Sequence, residues 1–157
     1  MTETWQELQR ETDEIFDDLL ETHLQAMPGL HELLDHLDQK KIRRCVATSS
    51  TPTFAHKALG LVGALERVDF VMTAQDVPRG KPHPDIYLAS AKRLEVPIER
   101  LLVLEDSPTG TKAGVSAGAY VVSVPNEHTK HGSFDGCRWI ANTLCDPRIY
   151  DVLQSGY

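Results

Sequence analysis

Lys81 lies in the run Gly80-Lys81-Pro82-His83-Pro84-Asp85. A glycine and two prolines keep that run out of regular helix or strand, so a constrained loop carries the ammonium. Held there, Lys81 can neutralise a phosphoryl group in transfer and keep a neighbouring carboxylate charged. A plain solvated loop lysine fits the same residue. Glu105 and Asp106 directly follow the apolar run Leu101 to Leu104, where a strand leaves the core and unpaired carboxylates are costly to desolvate. A magnesium ion would offset that cost with a shell of carboxylates, waters and phosphate oxygens. Alternatively, Asp106 caps the helix that contains Gly110 and Ala113. Thr48 closes another apolar segment just before a helix start, where a hydroxyl and backbone N–H groups can point together at a phosphate. Helix capping by Ser49, Ser50 or Thr51 explains the same residues.

The elements that must position these groups follow from the apolar pattern. From Trp5, the residues Leu8, Ile15, Phe16, Leu19, Leu20 and Leu24 recur at helical spacing among many acids, which predicts one amphipathic helix ended by Pro28-Gly29. Leu30, Leu33, Leu34 and Leu37 mark a second helix that finishes in Lys40-Lys41. Strands are expected at Cys45-Val46-Ala47, Phe70-Val71-Met72, Leu101 to Leu104 and Tyr120 to Val124. Helices are expected from Pro52 to Leu61, Ile86 to Leu94 and Ser107 to Ala117. A loop over Asn126 to Gly136, a short strand near Trp139-Ile140 and a helix near Ile149 to Leu153 complete the chain. Strands and helices alternate, and the strands are apolar along their length. That pattern predicts an α/β fold, a parallel sheet covered by helices on both faces. Ligands of such sheets bind beyond the carboxyl ends of the strands, where Thr48-Ser49 and Glu105-Asp106 both fall.

Composition narrows the function. The 157 residues suit one domain, and a formal net charge of −7 works against nonspecific binding to nucleic acid. The basic cluster Lys40, Lys41, Arg43 and Arg44 reads as a solvated helix end. No apolar run approaches the ~20 residues of a membrane helix, and Met1-Thr2-Glu3-Thr4 has no signal-peptide character. No membrane association and a cytoplasmic location are expected. Cys45, Cys137 and Cys145 match no CxxC motif and read as reduced thiols, Cys45 in the core. His128 and His131 have no nearby third ligand and read as surface residues, as does His83 between its two prolines.

The order of the segments is more specific than any one of them. Thr48 after one strand, Gly80-Lys81-Pro82 in a loop, and Glu105-Asp106-Ser107-Pro108-Thr109-Gly110 after another strand together resemble the haloacid dehalogenase-like hydrolases. The likeness is to the branch of β-phosphoglucomutases and phosphoglycolate phosphatases, and it spans about Met27 to Thr129. It implies a Rossmannoid core and a magnesium-dependent phosphatase or phosphomutase acting on a small phosphorylated metabolite through an aspartyl-phosphate. By the same resemblance Thr48 binds phosphate with help from the Ser49 amide. Lys81 stabilises nucleophile and phosphoryl group, and Glu105 and Asp106 hold Mg2+ directly or through water.

One part of the family pattern is not in this sequence. The attacking aspartate of the family's first motif, an apolar strand followed by DxDGT, has no counterpart. Asp13, Asp17, Asp18, Asp35, Asp38 and Asp69 neither end an apolar strand nor begin Asp-x-Asp-Gly. The resemblance makes residues 1–26 the C-terminal part of a helical cap and residues 27–157 a core without its central first strand. That strand normally lies between those carrying Thr48 and Glu105, so an N-terminal segment of the same protein is expected as partner. An unbroken sheet built from these residues alone would count against that expectation. The alternative is a catalytically inactive module, regulatory or merely binding phosphate and magnesium. A receiver-like phosphoacceptor domain shares the sheet and acidic cluster but fits the Gly-Lys-Pro loop poorly.

Overall fold

Short apolar segments become strands here, and each helix that leaves a functional strand end starts at a hydroxyl followed by proline. The computed structural model describes residues 14, 15 and 17–156. Helix α1, described over residues 14, 15 and 17–23, leads into α2 (Leu30–Gln39), β1 (Cys45–Ala47) and α3 (Pro52–Leu61). Strand β2 (Phe70–Met72), α4 (Asp85–Leu94), β3 (Leu102–Glu105), α5 (Pro108–Ala117), β4 (Tyr120–Ser123) and α6 (Pro147–Ser155) follow. Thr51 caps α3 by accepting from the Phe54 amide, and Ser107 caps α5 by accepting from the Gly110 amide at 3.0 Å. Pro52 and Pro108 occupy the first turns, where a missing N–H is harmless and φ is already helical.

The strands form two parallel pairs. β1 pairs with β2, Cys45 opposite Phe70 and Ala47 opposite Met72, and β3 pairs with β4, Leu102 opposite Tyr120 and Glu105 opposite Ser123. The two pairs are not hydrogen-bonded to each other. In a parallel ladder alternate residues turn their backbone groups toward the partner strand. Thr48 N donates to Met72 O and Val124 N to Glu105 O, so the backbone groups of Cys45, Ala47, Leu102 and Leu104 face away from β2 and β4. Apart from Ala47 O, these groups have no backbone or side-chain partner among the described residues. The parallel sheet is therefore open between β1 and β3, the place expected for the absent first strand. The far edge of β4 is used instead: Ser123 N donates to Trp139 O, and Arg138 N and Ala141 N donate to Val121 O and Ser123 O. The short strand expected near Trp139-Ile140 is reduced to one parallel bridge, Ser123 to Ile140.

Two apolar layers flank the strands. Val103 and Val121 pack with Ile86, Tyr87 and Ala91 of α4 and Ala113 of α5. Val122 and Val124 pack with Leu33 and Leu37 of α2 and Ile149 of α6, joined by the half-buried Leu102 and Leu104. Alternate residues of β4 thus enter opposite layers, as the period of a strand requires. The first expected helix is helical over residues 14, 15 and 17–23, while 5–13 and Phe16 lie outside the described residues. Lys57 of α3 ties this helix down by pairing with Asp17 at 3.0 Å and Glu21 at 3.1 Å.

Candidate active site

Lys81 is not a solvated loop lysine. Its side chain is 8% exposed, and its ammonium donates to Ala47 O at 3.0 Å and to Glu105 Oε1, whose side chain is 6% exposed. One cation therefore spans the break in the sheet, from the carboxyl end of β1 to that of β3. The loop that carries it is clipped at its base by Arg79, which donates to both oxygens of Asp85 at 3.1 and 2.7 Å. This pair and the nearby His83 hold the Asp85 carboxyl below its usual range, the hydrogen bond from Arg79 contributing most.

Glu105 is the most heavily bonded side chain of the site. Oε1 accepts from Lys81 Nζ and from the buried Tyr87 hydroxyl. Oε2 accepts from the Ser107 amide at 3.3 Å and the Ser107 hydroxyl at 3.0 Å. These four donors match the roughly four lone-pair positions of a carboxylate. The carboxylate also lies directly against α5: a Cβ on Gly110 would fall 2.0 Å from it. Burial, the Glu105 charge and the hydrogen bond to it push the Tyr87 hydroxyl far above the ordinary range of a phenol.

Asp106 contrasts with its neighbour. It is exposed, and Oδ2 accepts from Asn126 Nδ2 at 3.0 Å. The oxygen of that amide, Asn126 Oδ1, accepts from the backbone of His128 and Thr129 at 2.8 and 3.1 Å, which locks the amide as the hub of a tight turn. The residue that caps α5 is Ser107, so the capping explanation offered for Asp106 is replaced. Thr48 follows Ala47 directly, which places it beside the carbonyl that holds Lys81. Its hydroxyl accepts from the Ser50 amide at 3.1 Å. The helix cap nearby is Thr51, and Ser49 is exposed. Thr48-Ser49, Lys81 and Glu105-Asp106 are thus gathered around one end of the broken sheet, as the sequence predicts.

Hard cations prefer carboxylate oxygens, and two adjoining carboxylates give part of such a donor set. Among the described residues no group of three or more His, Cys, Asp or Glu side chains is arranged to hold a metal ion. Glu105 has its lone pairs engaged, whereas Asp106 has one oxygen without a donor among the described residues. The chemistry of the pair therefore fits part of the shell of a magnesium ion, with one Asp106 oxygen open to it and the remaining positions filled from elsewhere. His83, His128 and His131 are exposed, as expected. No helix among the described residues is long and apolar enough to cross a membrane.

Tyr87 and Asn126 are parts of the cluster whose roles the sequence does not announce. A tyrosine on the apolar face of a helix reads as core, and an asparagine before a loop reads as a turn residue. The motif spacing does signal Ser107 and Gly110, although the reason for Gly110, the carboxylate resting on it, is visible only in three dimensions.

Similarity to known proteins agrees with this arrangement. The profile of the family described as haloacid dehalogenase-like hydrolase matches residues 2–118. Validoxylamine A 7'-phosphate phosphatase of Streptomyces hygroscopicus subsp. limoneus is 38% identical over 103 residues, 66% of this chain and 48% of that protein. Hexitol phosphatase A of Escherichia coli is 36% identical over 99 residues, 63% of this chain and 45% of that protein. The chain thus spans about half the length of these relatives. Among solved structures, CbbY from Rhodobacter sphaeroides in complex with phosphate superposes with a TM-score of 0.80 at 29% identity, over 88% of this chain and 64% of the other. The β-phosphoglucomutase of Clostridium difficile superposes with a TM-score of 0.73 at 25% identity, over 98% of this chain and 68% of the other. With a matched profile over most of its length and both motif segments converging on one end of a parallel α/β core, the chain belongs to the haloacid dehalogenase-like hydrolases, in the branch of the β-phosphoglucomutases and related phosphatases.

Proposed function

We propose that the chain forms the phosphate- and magnesium-handling part of a phosphatase or phosphomutase that acts on a small phosphorylated metabolite through an aspartyl-phosphate. The observation that carries this reading is Lys81, buried and bonded to both Ala47 O and Glu105, across the gap between β1 and β3. In this reading an apolar strand from an N-terminal segment of the same protein fills the gap. It pairs with the free backbone groups of Cys45, Ala47, Leu102 and Leu104 and ends in a carboxylate beside Lys81. Residues 1–26 then form the end of a helical cap, and residues 27–157 the rest of the core.

A carboxylate oxygen of the added strand attacks phosphorus and the bond to the leaving oxygen breaks. That oxygen takes a proton from an acid on the same strand. Water, or a second substrate hydroxyl in a mutase, then attacks phosphorus and gives its proton to the now deprotonated acid, while the bond from phosphorus to the carboxylate oxygen breaks and returns the carboxylate. Lys81 keeps the attacking carboxylate charged and neutralises the phosphoryl oxygens, while Thr48 and the Ser49 amide orient them. Asp106 and Glu105 would hold magnesium directly or through water, and the ion would supply charge compensation for the phosphate.

The test joins this chain to an upstream segment bearing an apolar strand and Asp-x-Asp, and measures phosphate release from p-nitrophenyl phosphate. Magnesium-dependent turnover that disappears in Lys81→Met supports the reading. A reconstituted protein that binds magnesium and inorganic phosphate but releases no phosphate overturns it, in favour of a binding or regulatory module.

A further inference from the structure

The Tyr87 hydroxyl contributes nothing to filling the core, since a phenylalanine ring would occupy the same space. Its polar contact is Glu105 Oε1, the oxygen that also receives Lys81. The face of the same ring lies near the cation, with Lys81 Nζ 5.2 Å from its centroid. Tyr87 therefore touches both members of the ion pair, from a position fixed by α4 and 4% exposed.

A carboxylate oxygen has two lone pairs, and an ammonium has three protons. With Tyr87 on one lone pair of Oε1 and Ser107 on both of Oε2, Glu105 has room for one proton of Lys81. Ala47 O takes the second. We propose that Tyr87 is a positioning residue: by donating to Glu105 Oε1 it fixes the orientation of the carboxylate that receives Lys81, and so holds the ammonium with its third proton directed at an incoming anion. This rests on the reading of Lys81 given above. It adds that the hydroxyl, and not the ring, holds the ion pair in the orientation from which the lysine can offer its remaining proton.

The experiment is Tyr87→Phe in the 157-residue chain. The Lys81 side-chain ammonium is observed by nitrogen-15 NMR, its resonance assigned by its loss in Lys81→Met. The expected result is a shifted ammonium resonance with altered hydrogen exchange, while amide signals of β3, β4 and α5 stay in place. Inorganic phosphate should also bind more weakly. An ammonium signal and exchange rate identical to wild type would overturn the proposal, because a merely structural hydroxyl would leave them unmoved. Should Tyr87→Phe not fold, Glu105→Gln in its place must move the Tyr87 hydroxyl proton resonance; an unmoved resonance overturns the proposal equally. A protein reconstituted with its upstream segment that releases no phosphate would sink the phosphoryl-transfer reading, and the ammonium spectra would still decide the role of Tyr87.

Discussion

The two halves of the broken sheet carry the same kind of strand in different surroundings. β4 is enclosed on both faces, Val121 against α4 and α5 and Val122 against α2 and α6, at 1% and 0% exposure. Every residue of β1 is only half-buried. The site divides along the same line. At the enclosed end of β3, Glu105 is surrounded by donors from Lys81, Tyr87 and Ser107, whereas at the end of β1 Thr48 keeps one local bond to Ser50. An ionised group can be buried only where partners already surround it. A hydroxyl meant for a ligand can stay at an open strand end.

The comparison breaks most sharply at Lys81. Lys81→Met leaves the Glu105 carboxylate buried without its cation and should lower stability by about 3 to 5 kcal/mol in urea melts. Thr48→Val, on the open half, should lower it by no more than about 1 kcal/mol. Equal losses would show that the two halves are not distinct.

Gly110→Ala comes next. A methyl 2.0 Å from the Glu105 carboxylate must push it off Ser107 and Lys81, with an expected loss of about 1 to 3 kcal/mol. Gly80→Ala, in the lysine loop, meets no atom within 4 Å and should be close to neutral. Matching denaturation midpoints for the two variants would contradict the tight seat assigned to Glu105.

The smallest effect lies at the other end of β1. Hydrogen bonds from Arg67 and then Arg44 hold Asp38 below its ordinary value of 3.8. A depressed carboxyl contributes stability above its unfolded value and loses it as pH falls through the folded one. Wild type should therefore exceed Asp38→Asn slightly at pH 6, and the two should converge as the pH drops well below 3.8. A gap that stays constant from pH 6 to the acid limit would mean that the carboxylate charge is not what holds the arginines. Because Asp38 is exposed, the difference should shrink in salt.

Much of the fold is legible from local signals. Apolar runs bounded by hydroxyls and prolines place β1 to β4 and the starts of α3 and α5 to within a residue or two. Rules of that kind involve only neighbouring residues, and so does the spacing that marks Lys81 and Glu105-Asp106. Tyr87 and Asn126 escaped because their chemistry depends on residues 18 and 20 positions away. The solvated reading of Lys81 failed for the same reason: its burial is produced by β1 and β3 closing around it.

By itself, then, the sequence determined the family, the elements and the identity of the groups at the strand ends, because periodicity, capping and motif order are written locally. Only the tertiary structure decided that Lys81 bridges two strand pairs and that Glu105 is saturated while Asp106 faces outward. The opening of the sheet between β1 and β3 was anticipated by the missing first strand, but only the tertiary structure showed which backbone groups it leaves unpaired among the described residues. Those outcomes depend on which distant groups share a lone pair or a backbone edge, and no spacing along the chain encodes that.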